Sequence, residues 1–340
     1  MLDRRQFLGA MGASVLGLGL VGCGGSDGGS TDGGASSGKK KVAMVTDGQI
    51  NDGGWDASCY KAMTDAADEA GWDTAYSESV AQSDWATTME NYIDQGYDMV
   101  FLPGNQYTDV VKQVGKDFPD AHLCILNSAV EQENVVSLVP NTDQIGQLAG
   151  ALAGLITKTN SVGFIGAVEL DTTKSKLENF EKAAKKVNPD VQVTSAYAGS
   201  FTDAAKGKEL ATTFVNSNNV DVMFGDASIV DTGAREALAT YGDRYDIGQP
   251  GDLGSADDKL IACSVVTDNK AMILSAMKDV EAGSFGNKIV KGDLDNGGVA
   301  VGTFSNIVDQ DTQAKDQEIV SQIKAGTFLS GLLACFCRAP

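Results

Sequence analysis

Residues 41–61 read KVAMVTDGQINDGGWDASCYK, and this stretch decides the fold class. Residues 42–46 are apolar or β-branched and predict a buried strand. A loop rich in glycine and acidic residues follows, and Trp55 then opens an amphipathic run that predicts a helix over residues 55–70. Because the same order of strand, loop and helix recurs along the chain, this unit predicts an α/β fold with parallel strands.

The recurrence can be followed to the end of the chain. Strands are predicted at residues 42–46, 73–77, 99–102, 123–126, 135–139, 161–165, 191–197, 220–224 and 260–265. Helices are predicted at residues 55–70, 84–95, 107–117, 143–157, 174–187, 202–216, 230–240, 269–282 and 311–324. Strands that alternate with helices of about 10 to 15 residues indicate βαβ units and a doubly wound sheet.

The chain of 340 residues is long enough for two lobes with separate cores. We expect each lobe to be a doubly wound, mostly parallel sheet flanked by helices. The later segments are expected to cross back between the lobes. The expected boundaries are residues 39–140 plus 268–298 for the N-terminal lobe, and residues 141–267 plus 299–340 for the C-terminal lobe.

The loops after the predicted strands are the expected ligand site, because ligands of such sheets bind beyond the carboxyl ends of the strands. These loops are rich in Gly, Asp and Asn. Trp55 is expected to stack on the ligand, since binding sites favour an aromatic wall with few polar groups. A core position for Trp55 and for Phe201, and a helix-dipole role for Asp56, are the alternatives.

Composition narrows the class of protein. The chain is 42% hydrophobic and 21% charged, which is typical of a globular protein, and its net charge of −20 disfavours nucleic acid and anionic lipid as electrostatic partners. The lone histidine, His122, disfavours a histidine-based triad or a histidine-rich metal site. No P-loop is present, and no G-x-S-x-G joins a predicted strand to a helix. We therefore expect no enzyme, no cofactor and no metal site.

The N-terminal segment, residues 1–22, is predicted to be a targeting signal. Arg4 and Arg5 precede an apolar run that is too short to span a membrane. The motif LVGC at residues 20–23 resembles a bacterial lipobox, and DRRQFLG resembles a twin-arginine signal. Together they imply export, lipidation of Cys23 and a lipid-anchored protein on the extracytoplasmic face of the cell membrane. A plain signal peptide that is cut elsewhere is the alternative. Residues 23–38, rich in Gly and Ser, are then a flexible linker.

An ordered set of motifs resembles the basic membrane protein family of lipoproteins, of the purine-nucleoside receptor type. The motifs are VTDGQINDGGWDAS, QGYDMVFLPG, DFPDAHLCILN, QLAGALAGL, VGFIGAVE, VNPDVQV, YAGSFTDAAKGKELA and LIACSVVTDN, and they cover roughly residues 41–304. The resemblance implies a two-lobed periplasmic-binding-protein fold of type I. It also implies that a small solute is held between the lobes and handed to an ABC transporter permease.

The strand-end loops and the resemblance together give a set of expected ligand-binding residues. They are Asp47, Trp55, Asp56, Asn105, Asn127, Phe201, Asp226, Asp252 and Thr267. Several positions depart from the family pattern: Asp56 replaces an asparagine, Asn127 and Pro250 replace aspartates, Asp231 replaces a glycine and Thr267 replaces a lysine. These changes alter the donors and acceptors that a ligand meets. The ligand therefore stays open between a nucleoside and another polar solute.

Two further functions remain open. A lipid-anchored receptor of the same fold that signals the presence of a ligand shares every feature described above, and an exported enzyme is the third candidate. We expect a monomer. The tail, TFLSGLLACFCRAP, does not resemble the family's usual end, and its Cys335 and Cys337 are weak candidates for metal ligands because they lack partners in sequence.

Overall fold

The computed structural model describes residues 38–51 and 53–330. Cys23, the predicted signal segment, nearly all of the predicted linker and the tail cysteines Cys335 and Cys337 lie outside these residues. Within them, no helix combines the length and the apolar composition that crossing a bilayer requires.

Helices and strands alternate as the sequence predicts. The strands are β1 (Lys41–Val45), β2 (Asp73–Ser77), β3 (Met99–Leu102), β4 (Leu123–Leu126), β5 (Val135–Pro140), β6 (Ser161–Gly166), β7 (Gln192–Tyr197), β8 (Val222–Asp226), β9 (Tyr245–Gly248), β10 (Ile261–Thr267), β11 (Lys288–Gly292) and β12 (Val299–Val301). The helices are α1 (Trp55–Ala70), α2 (Trp85–Asp94), α3 (Thr108–Asp117), α4 (Thr142–Ile156), α5 (Asp171–Val187), α6 (Ala204–Asn218), α7 (Ile229–Leu238), α8 (Asn269–Ala282) and α9 (Gln310–Lys324).

In the described part of the chain, the strands form two six-stranded sheets. The strand order is β11-β5-β4-β3-β1-β2 in the first sheet and β12-β10-β9-β8-β6-β7 in the second. All pairings are parallel except that of β10 with β12. We call the first sheet with its packed helices the first lobe, and the second sheet with its packed helices the second lobe. The predicted fold class, a two-lobed type I periplasmic-binding-protein fold with doubly wound and mostly parallel sheets, is confirmed.

The sequence did not predict the strands β9, β11 and β12. β9 is short and carries Asp246, whose burial is tolerated because Arg235 Nε donates to its Oδ2 at 2.7 Å. β11 lies at an edge of the first sheet and is mostly exposed, so it lacks an apolar run. β12 has only three residues. None of the three therefore carries a run of apolar residues long enough to predict a strand.

Each sheet has apolar residues on both faces, as parallel sheets require. In the first lobe, one face packs against α1 and α8, and the other packs against α2 and α3. In the second lobe, α4, α5 and α9 cover one face, while α6 and α7 cover the other. The central strands are therefore buried along their whole length, and polar residues collect at the strand ends.

A ladder of glycines brings α4 and α5 into backbone contact. A Cβ added to these glycines would lie 2.1–2.8 Å from a carbonyl oxygen of α5. The pairs are Gly146 with Lys176, Gly150 with Phe180 and Gly154 with Ala184. Because both series advance by four residues, the two helices run side by side over three contacts. This close approach sets the position of α5, which carries Lys176 to the end of the sheet.

The chain passes between the lobes at the β5–α4, β10–α8 and β11–β12 junctions. Asn141 N–H donates to Gly292 O at 2.7 Å, and Asp268 N–H donates to Gly298 O at 3.0 Å. Gly292 and Gly298 pack so closely that a Cβ on Gly298 would lie 2.3 Å from the Gly292 Cα. The crossing segments therefore pack against one another and are joined by hydrogen bonds.

Candidate ligand-binding site

A buried tyrosine fixes the loop that follows β1. Asp47 donates its backbone N–H to the Tyr107 hydroxyl at 2.8 Å, and that hydroxyl donates to Asp47 Oδ1 at 2.9 Å. Gln106 Nε2 donates to the same carboxylate oxygen at 3.3 Å. Burial, reinforced by the Asp47 charge, raises the pKa of Tyr107, so its hydroxyl stays protonated. Asp47 is thereby held at the carboxyl end of the first sheet.

Trp55 begins α1 and contacts both lobes. Its indole Nε1–H donates to the Pro103 carbonyl oxygen at 2.6 Å. Its backbone N–H donates to Ser228 Oγ, in the second lobe, at 3.2 Å. The side chain is half-buried and packs against the core beneath α1. Because the indole N–H is already bonded, the ring itself is what Trp55 can offer to a ligand.

Asp56 lies in the first turn of α1, where a negative charge is favourable. Its Oδ1 accepts a hydrogen bond from Thr46 Oγ1. Gly48 packs over this carboxylate, because a Cβ there would lie 2.2 Å from Asp56 Oδ2. The start of α1 is therefore bonded to the end of β1.

Side chains also join the loops after β3 and β4. Thr108 Oγ1 donates to Asn105 O at 2.5 Å and lies 2.7 Å from Ser128 Oγ. Asn127 adopts a φ of 60°, a left-handed conformation that Asn tolerates better than most residues. Its N–H donates to Leu138 O at 2.8 Å. The structure thus brings five predicted site residues to one edge of the first sheet: Asp47, Trp55, Asp56, Asn105 and Asn127.

The second lobe meets this edge through the loop after β8. Ser228 has φ 56° and ψ −118°, a combination that only glycine adopts without strain. The next residue, Ile229, donates its N–H to Phe201 O at 3.0 Å. Phe201 is 45% exposed and does not belong to the buried core. Phe201 therefore lies beside the loop that contacts Trp55.

Three polar side chains meet at the carboxyl ends of β8 and β9. Lys176 Nζ, from α5, forms an ion pair with Asp226 Oδ1 at 2.6 Å. The two side chains are only 13% and 17% exposed. Gln249, which directly follows β9, donates Nε2–H to the same Asp226 oxygen at 3.1 Å and to Gly225 O. A nearly buried polar network thus lies at the carboxyl end of the second sheet.

A buried carboxylate supports the loop after β8. Asp231 Oδ2 accepts from Ala227 N–H at 2.9 Å, whereas Oδ1 has no hydrogen-bond partner among the described residues. Burial raises the pKa of Asp231 to about 7, although the positive charge of Arg235 opposes this shift. A Cβ on Gly225 would lie 2.0 Å from Oδ1. Asp231 is therefore packed directly behind the strand end that carries Asp226.

Two predicted site residues have other contacts. Both carboxylate oxygens of Asp252 accept from Thr303 N–H, at 3.0 and 2.9 Å, and Oδ2 also accepts from Thr303 Oγ1 at 2.7 Å. Thr267 is 9% exposed, and its N–H donates to Pro250 O at 2.8 Å. The structure bonds Asp252 to the segment after β12 and does not join it to the network around Asp226.

A cavity of about 210 Å³ lies between α1 and the β10–α8 junction. Thr267 lines it, together with Asn269. Asn269 Nδ2 lies 3.8 Å from Cys59 Sγ, and its Oδ1 has no hydrogen-bond partner in the part of the chain that the structure describes. Its other lining residues are Ser58, Lys61, Ala62, Asp65, Val266, Asp268 and Lys270. The cavity adjoins a chain crossing and does not include Trp55 or Asp226.

Sequence reasoning missed Tyr107, Lys176, Ser228 and Gln249. Lys176 lies within a predicted helix rich in lysine and glutamate, so nothing in the sequence separates it from its exposed neighbours. Ser228 lies in a loop at the carboxyl end of a predicted strand, where ligands of such sheets bind. This position in the loop is the only feature of the sequence that points to Ser228. Gln249 directly follows β9, a strand that the sequence did not predict.

Comparison with known proteins places these features in a family. The model of the Bmp family, described as ABC transporter substrate-binding protein, PnrA-like, matches residues 39–328. The nucleoside-binding protein BmpA of an ABC transporter from Lactococcus lactis is 28% identical over 308 residues, which cover 83% of this chain and 88% of the relative. The transcriptional activator protein med from Bacillus subtilis is 26% identical over 287 residues, covering 83% of this chain and 87% of the relative.

Solved structures share the fold. A solute-binding protein of an ABC transporter system from Conexibacter woesei has a TM-score of 0.70 at 23% identity, covering 88% of this chain and 98% of its own. A transcriptional activator of the comK gene from Bacillus halodurans has a TM-score of 0.73 at 23% identity, covering 84% of this chain and 98% of its own.

Proposed function

This chain belongs to the family of PnrA-like ABC transporter substrate-binding proteins, and we propose that it captures a small polar solute between its lobes and delivers it to an ABC importer. The capture residues are proposed to be Asp47, Trp55, Asp56, Asn105 and Asn127 on the first lobe. The second lobe would contribute Phe201, Asp226, Asp252 and Thr267. Nucleosides are the first ligands to test, because a relative is named as a nucleoside-binding protein.

The contact between Trp55 and Ser228 is the observation that carries this proposal. The two residues follow strands of different sheets, and their hydrogen bond of 3.2 Å joins the carboxyl ends of the two lobes. Ligands of doubly wound sheets bind at such ends. A protein that closes two lobes on a solute needs these loops to face each other across a cleft.

The lobes are proposed to comprise residues 39–140 plus 268–298 and residues 141–267 plus 299–340. The membership of β11 in the first sheet and of β12 in the second supports this division. So does the packing of α8 against α1 and of α9 against α4. The N-terminal lipid anchor at Cys23 is proposed from the sequence alone, and it would hold the protein at the extracytoplasmic face of the membrane.

A thermal-shift screen of the full chain tests the capture function. The panel contains nucleosides, free sugars and amino acids, and we expect nucleosides to raise Tm because a ligand that binds only the folded state stabilises it. Trp55→Ala should remove the shift and leave the ligand-free protein folded. Tyr76→Ala is the matched control, since Tyr76 is an exposed aromatic on the edge strand β2. A full shift in the Trp55 variant would contradict the stacking role, and a panel without any shift would contradict capture.

A receptor that signals to a partner is the second candidate function. It is favoured by two similarities, to the transcriptional activator med and to the activator of comK. Pull-down of the full chain from solubilised membranes separates the candidates. Recovery of a permease and an ATPase supports the importer, whereas recovery of a sensor protein without them supports the receptor.

A further inference from the structure

We propose that Lys176, Asp226 and Gln249 form a specificity-determining subsite on the second lobe, and that it binds two neighbouring hydroxyl groups of an uncharged ligand. The inference rests on the proposed function, because it assumes that a solute enters between the lobes. It names the part of the solute that the second lobe recognises. We call these three residues the diol subsite.

The diol subsite is built from three elements that converge at one strand end. Asp226 is the last residue of β8, Gln249 directly follows β9 and Lys176 lies in the second turn of α5. The ion pair is 2.6 Å long, and Gln249 Nε2 lies 3.1 Å from the same Asp226 oxygen. Ser228, two residues after Asp226, contacts Trp55 of the first lobe. The diol subsite is therefore next to the contact that joins the lobes.

The diol subsite has unused hydrogen-bonding capacity. Within the described chain, Lys176 Nζ donates only to Asp226 Oδ1, although an ammonium carries three N–H donors. Asp226 Oδ1 accepts from both Lys176 and Gln249, whereas Oδ2 accepts from no described residue. Two donors and a carboxylate oxygen thus remain for a ligand.

The opposite charges of Lys176 and Asp226 favour an uncharged ligand. Lys176 and Asp226 neutralise each other, so a charged ligand would have to compete with a partner held at 2.6 Å. A hydroxyl group both donates and accepts. Two neighbouring hydroxyls can donate to Asp226 Oδ2 and accept from Lys176 Nζ at once, and both bonds are charge-assisted. A sugar ring presents such a pair.

Folding alone does not account for this arrangement. Removing two charges from water is expensive, and well-packed apolar residues often stabilise a fold as well as a buried ion pair does. The ladder of α4 glycines brings the backbone of α5 close enough for Lys176 to reach Asp226. A costly pair at a strand end that faces the other lobe is better explained by ligand recognition.

Isothermal titration of the full chain tests the diol subsite. The probes are adenosine, 2′-deoxyadenosine, 2′,3′-dideoxyadenosine, free ribose, and glutamate as a charged solute. The wild-type chain should bind adenosine at least about tenfold more tightly than the dideoxy form, since a site built to bond a hydroxyl rejects analogues that lack it. The double variant Lys176→Met with Asp226→Leu removes both charges together, and it should lose most of this preference, because the two bonds that distinguish adenosine from the dideoxy form are removed.

Lys174→Met is the matched control. Lys174 lies on the same helix, is 51% exposed and pairs with Glu169 at 3.4 Å, so its loss should leave the preference unchanged. Equal weakening of adenosine and dideoxyadenosine binding in the double variant would overturn the diol subsite, as would a wild-type chain without preference. Binding of glutamate alone would also overturn it and leave solute capture intact. If no probe and no solute of the wider screen binds, the proposed function itself fails.

Discussion

The backbone N–H of Trp55 donates to Ser228 Oγ at 3.2 Å, and this bond joins two lobes whose contributing residues are 173 positions apart. Ser228 holds its hydroxyl there in a backbone conformation, φ 56° and ψ −118°, that is strained for any residue with a Cβ. Strained residues of this kind concentrate where structure serves function. The strained backbone of Ser228 therefore holds the hydroxyl that bonds the second lobe to Trp55 of the first lobe.

Ser228→Ala should favour separation of the lobes. The variant keeps the strained backbone and loses the bond to Trp55, so the ligand-free chain should show a larger radius of gyration in X-ray scattering. Ser83→Ala, on the exposed turn before α2, is the control. An unchanged radius would show that the bond does not hold the lobes together.

Ser228→Gly tests the backbone strain at this position apart from the hydrogen bond to Trp55. Glycine adopts the same backbone conformation without strain, so this variant should be more stable than Ser228→Ala by about 1 kcal/mol. Chemical unfolding of both variants measures the difference. A glycine variant that is less stable than the alanine variant would contradict the strain.

Gly150→Ala should destabilise the second lobe. The added Cβ would lie 2.1 Å from the backbone oxygen of Phe180, so α4 and α5 must move apart. Overpacking of this kind costs about 1–3 kcal/mol, which denaturant unfolding will detect. Gly251→Ala is the control, because its nearest neighbour would be 4.0 Å away. Equal stability of the two variants would contradict the close helix contact.

Asp231→Asn should stabilise the protein more at pH 8 than at pH 4. Burial raises the pKa of Asp231 from 3.8 to about 7, so between these values the folded state keeps a proton that the unfolded state releases. The free energy of unfolding therefore falls as pH rises through this window, and asparagine lacks the effect. Between pH 4 and pH 8, the stabilisation by Asp231→Asn should increase by at most about 4 kcal/mol, because a shift of one pKa unit corresponds to about 1.36 kcal/mol.

Unfolding of both proteins from pH 4 to pH 8 measures this gain. Asp246 and Asp316 also have raised pKa values because they are buried, so the wild-type curve alone does not isolate Asp231. The difference in the free energy of unfolding between variant and wild type isolates Asp231, because both proteins contain Asp246 and Asp316. A difference that stays constant with pH would contradict the titration of Asp231.

Tyr107→Phe should loosen the loop after β1. The hydroxyl accepts from Asp47 N–H and donates to Asp47 Oδ1, so its removal leaves both groups without this partner. A loss of about 1–3 kcal/mol in the free energy of unfolding is expected. Tyr60→Phe is the control, since no described residue bonds the Tyr60 hydroxyl, and an equal loss there would contradict the role of Tyr107.

Much of the fold could be predicted because its elements carry local patterns. The bounds of α1, α8, β2, β3 and β4 match the prediction, since apolar runs and glycine breaks mark them. The family and the type I fold followed from motifs in a fixed order. β9, β11 and β12 could not be predicted, because they are short or mostly exposed and carry too few apolar residues to form a recognisable strand pattern.

The sequence by itself determined the alternation of strands and helices, and therefore the loops that could bind a ligand. Only the tertiary structure decided which side chains meet there. Lys176 and Asp226 are 50 residues apart and lie on a helix and a strand whose contact depends on backbone packing. Trp55 and Ser228 belong to different sheets. Periodicity specifies the face on which a residue lies, but distances between elements come from packing, which no local pattern contains.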